Sequence, residues 1–128
     1  MSDSLYDTRF FIEYFYSSDK ATLESAGREV ATPGRKWVSA ITIHELFKIL
    51  LEKEGREIAK LRIGLLHKTF KVKDLDFELA IQSADLRKKY SIPMADSVIA
   101  ATSVALKAEC ITDDPHFSDI RELRVRWI

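Results

Sequence analysis

The order of apolar segments predicts an α/β fold, a three-layer α/β/α sandwich around a mainly parallel central sheet. Short strand-like segments, namely Leu5-Tyr6, KWVSAI, FKVKDL, CIT and LRVRWI, are separated by longer stretches of helical period. Strands joined through helices pair in parallel, and a parallel sheet needs cover on both faces. One helix, in the stretch SIPMADSVIAATSVALKA from Ser91 to Ala108, is apolar enough to be such a buried layer. There Ala95, Val98, Ile99, Thr102, Ala105 and Leu106 recur at helical spacing, and Pro93 suits a first helical turn.

In chain order, the segment around Leu5 and Tyr6 is the first strand. TRFFIEYFY follows as a helix with Phe10, Phe11, Tyr14 and Phe15 on one face. Ser18 or Asp19 opens a second helix through Val30, which Pro33-Gly34 ends. KWVSAI reads as a strand. Thr42 then starts THELFKILLEKEG, whose Ile43, Leu46, Phe47, Leu50 and Leu51 form an apolar stripe, with Gly55 as its stop. Arg56 to Lys68 is helical again, and FKVKDL alternates like a strand. Asp76 caps FELAIQSADLRKKY; the helix of Asp96 comes next, and CIT and LRVRWI close the chain as strands.

No repeat, low-complexity block or linker interrupts the 128 residues, so one domain over 1–128 is expected. A chain of this length buries roughly two-thirds of the surface it would expose unfolded, and needs no disulfide or metal merely to fold. With 46% hydrophobic and 31% charged residues the composition is that of a globular protein. No apolar run reaches membrane-spanning length and the N-terminus MSDSLYD is acidic, so a cytoplasmic protein with no membrane partner is expected. Cys110, the only cysteine, reads as a buried structural thiol. Twenty basic and twenty acidic side chains cancel, which leaves no global electrostatic footprint of a nucleic-acid binder. Asn is absent and Gln82 is the sole Gln, a bias associated with proteins that work at high temperature.

In open parallel sheets, sites form in the crevice beyond the carboxyl ends of the strands. Four acidic positions fall there. Asp7 follows the first strand, Glu45 lies in the first turn of the helix after KWVSAI, Asp96 lies near the start of the buried helix, and Asp113-Asp114 follow CIT. Each has an ordinary structural role when judged alone. Asp7 suits a helix N-cap, Thr42 to Glu45 fits a capping box, Asp96 gains from a helix dipole, and Asp113-Asp114-Pro115 suits a turn. Their convergence at one sheet edge is what points to chemistry. Clustered carboxylates repel one another unless a cation lies between them. With no Cys pair and no His pair at metal spacing, the oxygen donors select Mg²⁺ or Mn²⁺, ions suited to phosphodiester hydrolysis.

His44-Glu45 is not a zinc-protease signature, because Lys48 stands where the second His belongs. His44 reads as a helix-surface residue, and His67 and His116 fall in no recognisable pattern. There is no Gly-rich phosphate loop and no G-x-S-x-G elbow, which argues against a nucleoside-triphosphatase and a serine hydrolase.

Four motifs, YDTRFF, VSAITIHELFK, IPMADSVIAATS and TDDPHF, follow one another along the chain, and the similarity that rests on them covers nearly all of it. Together they resemble the PIN domain nucleases and, within them, the VapC toxins of toxin-antitoxin pairs. The resemblance implies a metal-dependent ribonuclease using Mg²⁺ or Mn²⁺, often a homodimer, inhibited by an antitoxin protein that covers the cleft. It carries the acidic set onto Asp7, Glu45, Asp96 and Asp114, with Thr8, Ser39 and Thr112 as polar neighbours. Asp114 rather than Asp113 matches the third position of the T-x-D pattern. Asp113 sits where many relatives carry a basic or neutral residue.

The RNA substrate comes from the resemblance alone. Basic residues do cluster in RKW, HKTFKVK and LRKKY, and Arg9 lies two positions past Asp7 on the substrate side, but surface helix charge accounts for most of these. The aromatic residues of the first helix, Phe10 to Tyr16, exceed what one core-facing stripe buries, which motivates the homodimer. Two other classes compete: a phospho-acceptor receiver domain, which would need an acidic neighbour for Asp7, and a binding module that keeps the acids only for structure.

Overall fold

A computed structural model describes residues 2–128. Its centre is β1 (Asp3–Tyr6), which pairs in parallel with β2 (Arg35–Ser39) on one side and β4 (Glu109–Ile111) on the other. β3 (Lys71–Lys73) adds outside β2, and β5 (Val125–Arg126) adds outside β4, so the five parallel strands run β3-β2-β1-β4-β5. Among the described residues seven helices connect them: α1 (Thr8–Tyr16), α2 (Lys20–Ala31), α3 (Ala40–Glu54), α4 (Arg56–Thr69), α5 (Phe77–Tyr90), α6 (Met94–Leu106) and α7 (Pro115–Ser118).

Successive strand residues point to opposite faces, and here both faces are buried. Leu5 and Cys110 join Leu79, Leu86, Ile99, Ala100, Ala101 and Phe117 on the side covered by α5 and α6. Tyr6, Val38 and Ile111 join Phe10, Phe11, Leu46, Leu50, Leu66 and Phe70 on the side covered by α1 to α4. The expected α/β/α sandwich is therefore the observed architecture. Tyr6 anchors the second layer, with ring centroids 4.8 Å from Phe10 and 5.3 Å from Phe70. Such aromatic pairs add roughly 0.5 to 1.5 kcal/mol each beyond the area they bury. Cys110 is fully buried and burial pushes its thiol well up, as befits a structural thiol.

The structure departs from the sequence reading in a few places. β2 ends at Ser39, because the Ser39 hydroxyl accepts from Ile41 N (3.2 Å) and caps α3 three residues earlier than a Thr42 cap would. Thr42 is consequently a buried residue inside the first turn, and Glu45 lies in the second turn. The Thr42–Glu45 capping box does not form. Pro93 occupies the cap position of α6, and the closing strand shrinks to Val125–Arg126. The turn expected at Asp113-Asp114-Pro115 continues as α7, with Asp114 as N-cap and Pro115 at the first helical position. Gly55 separates α3 from α4 at φ 81°, a conformation that favours glycine.

Of the α1 aromatics, Phe10 and Phe11 are fully buried, while Tyr14, Phe15 and Tyr16 pack partly buried against the same core. Much of what looked like surplus apolar surface is thus internal. The more exposed large apolar side chains lie elsewhere, with Phe77 77% and Met94 56% exposed. No helix among the described residues is long and apolar enough to cross a membrane.

Candidate active site

The chain reverses its direction of travel across the sheet between β1 and β4, and a crevice opens at the carboxyl ends of strands at such a switch point. Tyr6 and Ile111 are the last register partners of these strands, so the next residues, Asp7 and Thr112, emerge side by side. Asp7 N donates to Ile111 O (3.2 Å), and Thr112 Oγ1 donates to Asp7 Oδ2 (2.7 Å). The other carboxylate oxygen, Oδ1, accepts from Thr8 N (2.7 Å), which makes Asp7 the N-cap of α1 as well as a member of the site.

Asp7 is only 3% exposed. Burial pushes its carboxyl up to about 6, against the opposing hydrogen bonds from Thr112 and Thr8, and the charges of Asp96 and Asp114 raise it further. Those two charges are felt because α6 and α7 begin at the same edge. Asp96 lies in the first turn of α6, half-buried, and burial together with Asp114 holds its carboxyl above the usual range even though His116 pulls it down.

Thr112 also fixes the last acid, since its Oγ1 accepts from Asp114 N (3.0 Å). Asp114 Oδ1 in turn accepts from His116 N (2.9 Å). The imidazole of His116 then reaches across to Asp96, with Nδ1 2.6 Å from Oδ2, and lies 3.4 Å from Asp114 Oδ1. The contact with Asp96 raises the proton affinity of His116. Among the described residues, Asp96, Asp114 and His116 bring ligand atoms within 4.8 Å of one another.

Glu45 enters through Thr8, whose hydroxyl donates to Glu45 Oε1 (2.6 Å) while Thr42 Oγ1 lies 3.4 Å from Thr8 Oγ1. One threonine therefore ties Asp7 through its amide and Glu45 through its hydroxyl. Asp113 turns the other way, forming an exposed two-pronged pair with Arg9 (Nε to Oδ1 2.6 Å, Nη2 to Oδ2 3.2 Å). This separates the two adjacent acids: Asp114 faces Asp96 and His116, and Asp113 does not. Ser39, buried, has its hydroxyl engaged in capping α3.

Sequence reasoning passed over two participants. His116 belonged to no metal-spaced pair, and its only local signal is its place two residues after Asp114 in the first turn of α7. Thr42 looked like a cap. The donor set suits a hard divalent ion: carboxylate oxygens from four separate segments, two of whose acids carry raised proton affinities of the kind a cation relieves.

Buried Asp7 and half-buried Glu45, Asp96 and Asp114 at the switch point of a parallel sheet define an acidic site. The PIN domain model matches residues 5–123, and the chain belongs to the PIN domain family, a family of nucleases. None of the curated proteins compared with the chain matches it significantly. Among solved structures, the fold is similar to DNA-bound VapBC from Salmonella typhimurium, with TM-score 0.81 and 19% identity over 99% of this chain and 98% of that one. It is likewise similar to VapBC2 from Rickettsia felis bound to a promoter DNA fragment, with TM-score 0.81 and 14% identity over 98% of each chain. VapC20 from Mycobacterium tuberculosis, a toxin that cleaves the Sarcin-Ricin loop, aligns with TM-score 0.76 and 18% identity over 96% of this chain and 99% of that one.

Proposed function

We propose that the chain acts as one PIN domain over residues 1–128, a metal-dependent endoribonuclease and the toxin of a toxin-antitoxin pair. Asp7, Glu45, Asp96 and Asp114 are its catalytic and metal-holding acids. The observation that carries this reading is geometric: the Thr112 hydroxyl bonds both Asp7, which follows β1, and the Asp114 amide, and the His116 imidazole lies against both Asp114 and Asp96, so acids from the starts of three elements share one crevice.

The carboxylates of Asp96 and Asp114, with Asp7 behind them and Glu45 beside Thr8, would hold Mg²⁺ or Mn²⁺. When bound, such an ion lowers the pKa of a water and neutralises charge on a phosphodiester. The chain's own contribution is orientation. Thr112 and Thr8 lock both oxygens of Asp7, and Thr8 locks Glu45, so neither carboxylate has to search rotamers before reaction. Thr8 and Thr112 are therefore positioning residues on the substrate side, and Ser39 supports them from the cap of α3. Arg9 is the basic group nearest in sequence to this edge. Its exposed pair with Asp113 is worth roughly 0 to 1 kcal/mol, weak enough for a backbone phosphate to displace.

The likeness to VapBC complexes and to a toxin that cleaves the Sarcin-Ricin loop supports an antitoxin partner and an RNA substrate. The chain's basic clusters add little, since surface helix charge accounts for most of them. A homodimer in the cytoplasm completes the proposal. The test is RNA cleavage by the purified chain with Mg²⁺, with Mn²⁺ and after chelation. Cleavage that requires the ion and is lost in Asp96→Asn is expected; cleavage that survives chelation overturns the metal-dependent mechanism. Light scattering at micromolar concentration should give the mass of two chains.

A further inference from the structure

His116 has no part in the four-carboxylate set, yet its Nδ1 faces two members of that set at 2.6 Å and 3.4 Å. The backbone builds this placement. Asp114 caps α7 and accepts from the His116 amide, Pro115 fixes the first helical position, and Phe117, fully buried, anchors the short helix in the core beneath α6. The imidazole is left half-exposed at the open side of the crevice, on the same point as Asp96 and Asp114.

A nitrogen donor at that point changes what the site selects. Carboxylate oxygens alone suit Mg²⁺, whereas imidazole favours first-row transition ions, and Mg²⁺ takes oxygen ligands and water in preference to nitrogen. We infer that His116 is itself a ligand of the ion, through Nδ1 beside Asp96 and Asp114, and that it sets a preference for Mn²⁺ over Mg²⁺. This rests on the metal-dependent reading above and narrows it. The competing role is an imidazole that only holds Asp96 in position, and that role puts no nitrogen on the ion.

The two roles separate by pulsed electron paramagnetic resonance on the full chain loaded with Mn²⁺ alone. Nitrogen hyperfine coupling to the bound Mn²⁺ is expected in the wild type and absent in His116→Gln. Calorimetric titrations of the same proteins should show Mn²⁺ affinity falling at least about tenfold in His116→Gln, with Mg²⁺ affinity changing much less. Bound Mn²⁺ without nitrogen coupling in the wild type, or equal losses for the two ions, overturns the inference and leaves metal-dependent cleavage standing. A wild type that binds no Mn²⁺ overturns both. The wild-type spectrum decides by itself, so the outcome does not depend on the variant folding, and His116→Asn provides a second check on the assignment.

Discussion

Thr112 Oγ1 donates to Asp7 Oδ2 over 2.7 Å, joining residues 105 positions apart at the ends of neighbouring strands. The same hydroxyl oxygen accepts from Asp114 N, so one side chain orients the first and last acids of the site together. Thr112→Val keeps the shape and removes both bonds. It should cost about 1 to 3 kcal/mol by urea unfolding, because the buried carboxylate loses a donor, and should raise the Asp7 carboxyl further. A variant as stable as the wild type would show that the bond orients nothing of consequence.

Asp7 gives the metal-free protein a pH dependence with a definite sign. Its carboxyl is raised from 3.8 to about 6 on folding, so between those values the folded state holds a proton the unfolded state has released. The stability this supplies is complete below pH 4 and is lost as pH rises through 6, a loss of about 3 kcal/mol at 1.36 kcal/mol per unit. The raised Asp96 carboxyl acts in the same sense. His116, also raised, continues the decline above its ordinary 6.5. The stability difference between wild type and Asp7→Asn, read from urea midpoints in chelator, should shift against the wild type as pH rises from 4 to above 6. A difference that stays constant over that window contradicts the burial of an unfavourable charge.

Asp96→Asn separates chemistry from fold. A carboxylate serving only the α6 dipole would lose roughly 0.3 to 1 kcal/mol on neutralisation. Because the surroundings favour the neutral form of Asp96, the metal-free variant should instead be as stable as the wild type, or more so. RNA cleavage should drop sharply all the same. Adding Mn²⁺ at a hundredfold excess over its Kd should stabilise the wild type by about 2.7 kcal/mol, and the variant less at the same concentration. Equal stabilisation of both proteins would remove Asp96 from the ligand set.

The far edge of the sheet depends on Arg126. Its guanidinium donates to both oxygens of Glu29 (2.7 Å and 3.2 Å) and to Glu109 (2.9 Å), tying β5 to α2 and β4, while Glu29 also accepts from Tyr6 (2.6 Å). Arg126→Met should lower stability by about 1 to 3 kcal/mol, the range for hydrogen bonds to charged groups, with cleavage little changed. Loss of cleavage without loss of stability would place this cluster in the active machinery.

The layer order was legible in the sequence because it follows from local periodicity. Strand segments too short to fold alone, spaced by amphipathic helices, leave a parallel sheet with two covered faces as the way to bury Leu5, Tyr6 and the apolar face of α6. Asp7, Asp96 and Asp114 were legible for a related reason, since each follows a strand or opens a helix, and the carboxyl ends of parallel strands lie along one edge.

What the sequence by itself determined about this protein is therefore the sandwich and which carboxylates could meet; the partner each one takes was decided by tertiary structure. Ser39 rather than Thr42 caps α3, which moved Glu45 into the second turn and gave it Thr8 as a partner from α1. The register of β1 on β4 set Thr112 beside Asp7, the paired Arg9 drew Asp113 away from Asp114, and the cap of α7 turned His116 onto Asp96. These contacts join residues from 20 to 105 positions apart, and their hydrogen-bond geometry depends on strand register and helix placement to within fractions of an ångström. Local periodicity carries no information at that scale; only the packed sheet and its helices do.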